Sequence, residues 1–124
     1  VPRNVNLAIL AAMSTADRKQ VSEWEFQVAV GKEAQSRGWH VHYTRRTGFK
    51  GKNGKWRAMA PAGWPDMFMV RGERAISAEL KADYVPAKGT PEQEAWLADL
   101  ARVPGVETYL WRPRDAESIR EVIA

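Results

Sequence analysis

Asp66-Met67-Phe68-Met69-Val70-Arg71-Gly72-Glu73-Arg74-Ala75-Ile76-Ser77-Ala78-Glu79-Leu80-Lys81-Ala82 reads as two β-strands around a tight turn. Residues 66–70 and 74–82 are the strands, and Arg71-Gly72-Glu73 is the turn. In the second of these strands Ile76, Ala78, Leu80 and Ala82 share one parity, and Ser77, Glu79, Lys81 and Asp83 share the other. Strand side chains alternate between faces, so Glu79 and Lys81 point the same way, about 7 Å apart along the strand. If the two strands pair around the turn, Asp66 falls beside the far end of its partner, near Glu79.

The flanking segments complete an α/β pattern. Upstream, Ser22 is a good N-cap for a helix over residues 23–37, Glu25 completes a capping box, and Gly38 suits the stop. Residues 39–44 read as a strand, followed by a glycine-rich basic loop that ends at Pro61-Ala62-Gly63-Trp64-Pro65. Downstream, Thr90 caps a helix with Pro91 at its first position, and Trp96, Leu97 and Leu100 mark one face. Residues 106–111 form a fourth strand and 116–123 a last helix, with Ile119, Val122 and Ile123 inward. The first three strands suit an antiparallel meander, and the helical crossover lets the fourth run parallel to the third. Residues 1–21 are a lead-in with a short helix over 5–13, and residues 22–124 form the main domain.

A chain of 124 residues with 44% hydrophobic and 27% charged residues builds one globular domain with a core. No apolar run approaches the roughly 20 residues of a membrane span. The apolar stretch at residues 7–13 is short and lacks a signal-peptide layout. No cysteine is present, which excludes disulfides, thiolate zinc sites and cysteine nucleophiles and suits a reducing cytosol. The net charge of +4 is concentrated. Arg45, Arg46, Lys50, Lys52, Lys55 and Arg57 follow one another with no acid among them, and Phe49 and Trp56 are interleaved. Such a segment favours a polyanion, because each cation near a phosphate releases counterions. The competing reading is a solvated loop kept soluble by its charge.

A lone Glu-x-Lys is ordinarily a solvated strand face, and Pro-Asp is ordinarily a turn. Pairing of the two strands changes this, because two carboxylates brought together repel unless a cation sits between them. Hard divalent ions take oxygen ligands of this kind. In the first helix Glu23, Phe26, Gln27, Val30 and Ala34 lie on one stripe, so Glu23 and Gln27 occupy the end that faces the sheet. A carboxylate there is costly unless paired or metal-bound, although a first-turn acid is also favoured by the helix dipole. Gln93 has two readings as well: it completes a capping box with Thr90, or it looks from the face of Trp96 toward the sheet. His40 and His42 share a strand face and fit an ordinary sheet role. Trp56 and Trp64 flank the proposed site; most of the six tryptophans are core candidates.

These residues resemble the PD-(D/E)xK nuclease superfamily, and within it the VRR-NUC branch. The resemblance covers residues 22–122. It runs through Ser22-Glu23 with Phe26-Gln27, Gly38-Trp39, Gly63-Trp64-Pro65-Asp66, Ala78-Glu79-Leu80-Lys81, Pro91-Glu92-Gln93 with Trp96-Leu97, and Val106 to Tyr109-Leu110-Trp111-Arg112-Pro113. It implies a restriction-endonuclease-like αβββαβ core, a mixed four-stranded sheet flanked by helices, and DNA phosphodiester hydrolysis with Mg²⁺ or Mn²⁺. It also implies that Asp66, Glu79 and the Leu80 backbone carbonyl ligate metal and that Glu23 completes the acidic cluster, directly or through water. Gln27 is the alternative occupant of that helix position. Lys81 is implied to orient or deprotonate the attacking water, and Gln93 to position Lys81 or the phosphate.

The expected activity is that of a structure-specific endonuclease resembling Holliday-junction resolvases. That implies branched DNA, a homodimer, a cytoplasmic location in a bacterial or phage-infected cell, and a role in recombination or DNA repair. A monomeric flap or fork nuclease is the enzymatic alternative. A non-catalytic nucleic-acid-binding module on the same fold and a basic structural protein without a site are the others.

Overall fold

The computed structural model describes residues 4–44, 48–58, 60–86 and 89–124. Two short helices, α1 (Leu7–Ala12) and α2 (Thr15–Arg18), precede the long helix α3 (Glu23–Ser36). Strand β1 (His40–Tyr43) leads to a small hairpin of β2 (Gly48–Lys50) and β3 (Trp56–Ala58). Strands β4 (Met67–Arg71) and β5 (Arg74–Leu80) follow, then helix α4 (Pro91–Ala101), strand β6 (Val106–Trp111) and helix α5 (Ala116–Ile123). A 3₁₀ turn at Pro113–Asp115 leads into α5.

The main sheet has the order β1-β4-β5-β6. β4 pairs antiparallel with β1 and with β5, whereas β6 pairs parallel with β5. The structure is therefore α/β, with a mixed four-stranded sheet flanked by helices. The turn between β4 and β5 is Gly72-Glu73, and Gly72 takes a positive φ of 59° there, which a residue with a Cβ resists. A parallel neighbour needs a crossover, which α4 supplies.

Alternation along the strands separates two faces. Met67, Met69, Ile76, Ala78 and Leu80 join Phe26, Ala29, Val30 and Ala34 of α3, Leu7 and Leu10 of α1, and Ile119 and Ile123 of α5 in one core. The lead-in helix α1 is thus built into the core of the main domain. Trp39 closes its edge and donates from Nε1 to the Ile123 carbonyl at 3.0 Å. The opposite face carries Phe68, Ser77 and Glu79. There α4 lays its half-buried Gln93, Trp96, Leu97 and Leu100, the stripe expected from the sequence. Among the described residues no helix is long and apolar enough to cross a membrane.

Two expectations about extent change. The second strand of the meander begins at Met67 and the third ends at Leu80, so Asp66 and Lys81 stand just outside the ladder. The basic segment, expected as a loop, contains the β2–β3 hairpin. Asn53-Gly54 is its turn signal: Gly54 sits at φ +74° and its N–H bonds to the Gly51 carbonyl at 2.9 Å.

Candidate functional site

The site begins where β4 and β5 part. Their pairing runs as far as Met67↔Ala78. One step further, the Asp66 carbonyl accepts the Thr44 N–H at 2.8 Å and the Pro65 carbonyl accepts the Thr44 hydroxyl at 2.6 Å. The chain before Asp66 is therefore held toward β1 and away from β5. The Leu80 N–H, left without a ladder partner on that side, donates instead to Asp66 Oδ2 at 2.8 Å. A charge-assisted bond of this kind fixes the carboxylate at the mouth of the split. On its other side β5 remains attached to β6, and the Lys81 N–H reaches the Trp111 carbonyl at 3.0 Å.

Glu79 is only 4% exposed. The solvated charged face that is the ordinary meaning of Glu-x-Lys is not what the fold contains, because Ser77 on the same face is wholly buried too. Glu79 Oε1 accepts from Gln93 Nε2 at 2.9 Å. Glu79 Oε2 is buried and receives no donor. Asp66 lies within hydrogen-bonding reach of Glu79, but two carboxylates have no proton to exchange unless one of them is protonated. Burial, foremost, then the charge of Asp66, pushes the Glu79 carboxyl up to about 8, while the nearby Lys81 opposes the shift. Glu23 adds a smaller push in the same direction as Asp66.

Gln93 is held by two further contacts. Its Oε1 accepts the Thr90 N–H at 2.9 Å, and its own N–H bonds to the Thr90 hydroxyl at 3.2 Å. The cap and the site, which the sequence offered as alternatives, are both made by the same amide. Helix α4 is in turn docked on the loop that carries Asp66. Gly63 takes φ +82°, and a Cβ there would come within 2.4 Å of the Glu92 carbonyl carbon. Trp96 Nε1 donates to the Ala62 carbonyl at 3.1 Å, and Trp64 meets Trp96 edge-on at 4.9 Å and stacks near Phe68. Trp64 is thus a packing residue between the loop and the helix.

The fold therefore brings together Asp66, Glu79, the Leu80 backbone, Lys81 and Gln93. Glu23 opens α3 as expected, capped by Ser22 and Glu25, and acts on Glu79 through its charge. Gln27 is buried one turn further along α3. Among the described residues no group of three or more histidine, cysteine, aspartate or glutamate side chains stands ready to hold a metal ion. Asp66 and Glu79 form a pair of carboxylates, and Glu23 adds a smaller electrostatic push on Glu79. His40 and His42 share the exposed side of β1, an ordinary sheet role. Lys50, Lys52, Lys55 and Arg57 are exposed on the hairpin, while Arg45 and Arg46 lie outside the described residues.

Sequence reasoning missed Arg112. This buried arginine donates to the carbonyls of Ala82, Val85 and Pro86 at 2.8, 2.7 and 3.2 Å, tying down the segment that follows Lys81. It stood in the Trp111-Arg112-Pro113 run that carried the resemblance, but nothing in the sequence assigned it a role. Asp83, grouped with Glu79 by parity, belongs to another cluster: it pairs with Arg18 at 3.6 Å and with Arg114 at 3.5 Å.

Fold and site together define an α/β protein with a buried carboxyl, Glu79, beside a half-buried one, Asp66, at a strand divergence, flanked by a lysine and an amide. No protein family, curated protein or solved structure was found to match the chain.

Proposed function

We propose that this protein is a divalent-metal-dependent DNA endonuclease on a restriction-endonuclease-like αβββαβ core, cleaving branched DNA as a homodimer. The observation that carries the reading is Glu79, whose Oε2 is buried without a donor while its carboxyl lies within hydrogen-bonding reach of Asp66. Two such carboxylates are stable together only around a proton or a cation. Their oxygens suit Mg²⁺ or Mn²⁺, with Asp66, Glu79 and the Leu80 carbonyl as ligands and Glu23 contributing directly or through water. When bound, such an ion supplies Lewis acidity and lowers the pKa of a coordinated water.

The chain's own groups supply the rest. Lys81 places positive charge where negative charge develops on the phosphate, and it orients or deprotonates the attacking water. Gln93 holds Glu79 in one orientation, so the carboxylate does not have to reorganise when substrate arrives. Exposed Lys50, Lys52, Lys55 and Arg57, with Arg45 and Arg46 before them in the chain, give affinity for the DNA backbone without reading sequence. Two symmetric cuts in a four-way junction call for a twofold dimer. The resemblance to the VRR-NUC branch extends this reading to a cytoplasmic role in recombination or repair.

The test is a cleavage assay on supercoiled plasmid, linear duplex and a synthetic four-way junction, each with Mg²⁺, Mn²⁺ or chelator. Metal-dependent nicking with preference for the junction is expected. A folded protein that binds these DNAs and cuts none with either metal would be a non-catalytic module, and the enzymatic reading would fall.

A further inference from the structure

The β2–β3 hairpin presents an aromatic ring among cations. Lys50 and Trp56 are cross-strand partners, and the turn is closed by Gly51 N–H to the Lys55 carbonyl at 2.8 Å and Lys55 N–H to Asn53 Oδ1 at 3.2 Å. Trp56 is 63% exposed, the most of any large hydrophobic side chain among the described residues. The similarly exposed Trp24 packs on Tyr43, and Trp64, Trp96 and Trp111 each meet another ring. Among the residues whose side chains are described, no ring or cation packs on Trp56. Lys50, Lys52, Lys55 and Arg57 surround it in the chain, all exposed.

We propose that Trp56 is a stacking platform for an unpaired nucleobase, with the four cations on the adjoining phosphates. The hairpin would thereby select DNA that contains unpaired nucleotides. This deepens the nucleic-acid reading above and rests on it. An indole beside lysines and an arginine binds single strands with little regard for sequence, because every base has a π-face. In a duplex those faces are already covered by neighbouring bases, so the platform discriminates against fully paired DNA.

Chain connectivity ties the hairpin to the candidate site. One stem returns to Thr44 and the other to Asp66, and these two residues are hydrogen-bonded to each other. Trp56 is ten residues from Asp66 in the chain, which limits their separation to about 35 Å. A strand anchored on the hairpin therefore stays within reach of the carboxylates.

The experiment measures binding by fluorescence anisotropy with chelator present, so that no cutting is read. The probes are a labelled 20-nucleotide oligothymidylate and a labelled blunt 20-base-pair duplex. Losing one base stack lowers affinity roughly 5-fold to 150-fold. Trp56→Ala should show a loss in that range on the single strand and less than about twofold on the duplex, with Trp56→Phe recovering most of it. Lys52→Glu should weaken both probes alike. Equal losses on the two probes for Trp56→Ala, or no loss on the single strand, would overturn the inference. So would conversion of a dimer to a monomer by Trp56→Ala in sedimentation, which would make the indole a contact between copies. Because the readout is binding, a protein that never cuts DNA can still pass or fail this test on its own.

Discussion

The side-chain amide of Gln93 joins a helix cap to a buried acid: its Oε1 accepts from Thr90 N–H, and its Nε2 donates to Glu79 Oε1, both at 2.9 Å. An amide is the side chain that can do both, because it carries an acceptor and a donor on one planar group. Gln93→Ala should lose the reciprocal cap and leave Glu79 Oε1 without its donor, lowering stability by about 1–3 kcal/mol. Gln93→Glu should keep the cap yet place a third negative charge beside Glu79. Urea titrations of both variants and their rates of plasmid nicking check this: both should cut poorly, with Gln93→Glu doing so while keeping its α4 cap.

Glu79 gives the stability a distinctive pH dependence. Its carboxyl lies near 8 in the folded protein and near 4.5 when free, so between those values the folded state binds more protons than the unfolded one. Metal-free protein should therefore lose stability as the pH rises from about 4.5 to about 8. Glu79→Gln, which keeps the shape and removes the titration, should flatten that profile. Melting temperatures from pH 5 to 9 with chelator would show it. Adding Mg²⁺ or Mn²⁺ at pH 8 should raise the melting temperature of the parent protein and leave that of Glu79→Gln nearly unmoved.

Asp66 has a structural bond as well as a charge. Asp66→Asn keeps an acceptor for the Leu80 N–H, whereas Asp66→Ala removes it and should cost about 1.5–3 kcal/mol. Both should abolish cutting and spare DNA binding, and so should Lys81→Ala. Metal-dependent cutting retained in both Asp66→Ala and Lys81→Ala would end this site assignment.

Gly63 is where the Asp66 loop touches α4. A Cβ would collide with the backbone of Glu92 and Gln93, and φ +82° disfavours any L side chain. Gly63→Ala should destabilise the protein by about 2 kcal/mol or more, because neither backbone can yield without losing its own contacts. The same change should shift α4 and slow cutting through Gln93. Thermal unfolding and a cutting assay on the folded fraction check both effects.

Arg112 is the buried cation behind Lys81. Its guanidinium is satisfied by the main-chain carbonyls of Ala82, Val85 and Pro86, so removing it leaves the buried Ala82 carbonyl and two partly buried ones without that donor. Arg112→Met should lower stability by about 1–3 kcal/mol and loosen residues 82–86. Amide hydrogen exchange confined to that segment and to Lys81 would register the change.

Much of the architecture was legible because it depends on short-range chemistry. Ser22 with Glu25 and Thr90 with Pro91 mark helix starts through bonds three residues apart. The span 106–111 and the last helix over 116–123 stand where hydrophobic periodicity placed them. The β2–β3 hairpin was not read, although Asn53-Gly54 carried its turn, because the charge of the segment masked its short strands. In the candidate site, parity put Glu79 and Lys81 on one side, and strand pairing brought Asp66 near them.

Neither parity nor pairing predicts burial, and burial is what separates Glu79 from a solvated strand acid. The amino-acid order determined the caps, the turns, the alternation and hence the mixed sheet, since each follows from bonds and torsions within a few residues. The split of β4 from β5, the docking of α4 on Gly63 and the exclusion of water from Glu79 were decided only by tertiary structure. They arise from contacts between segments far apart in the chain, whose energies no local pattern encodes.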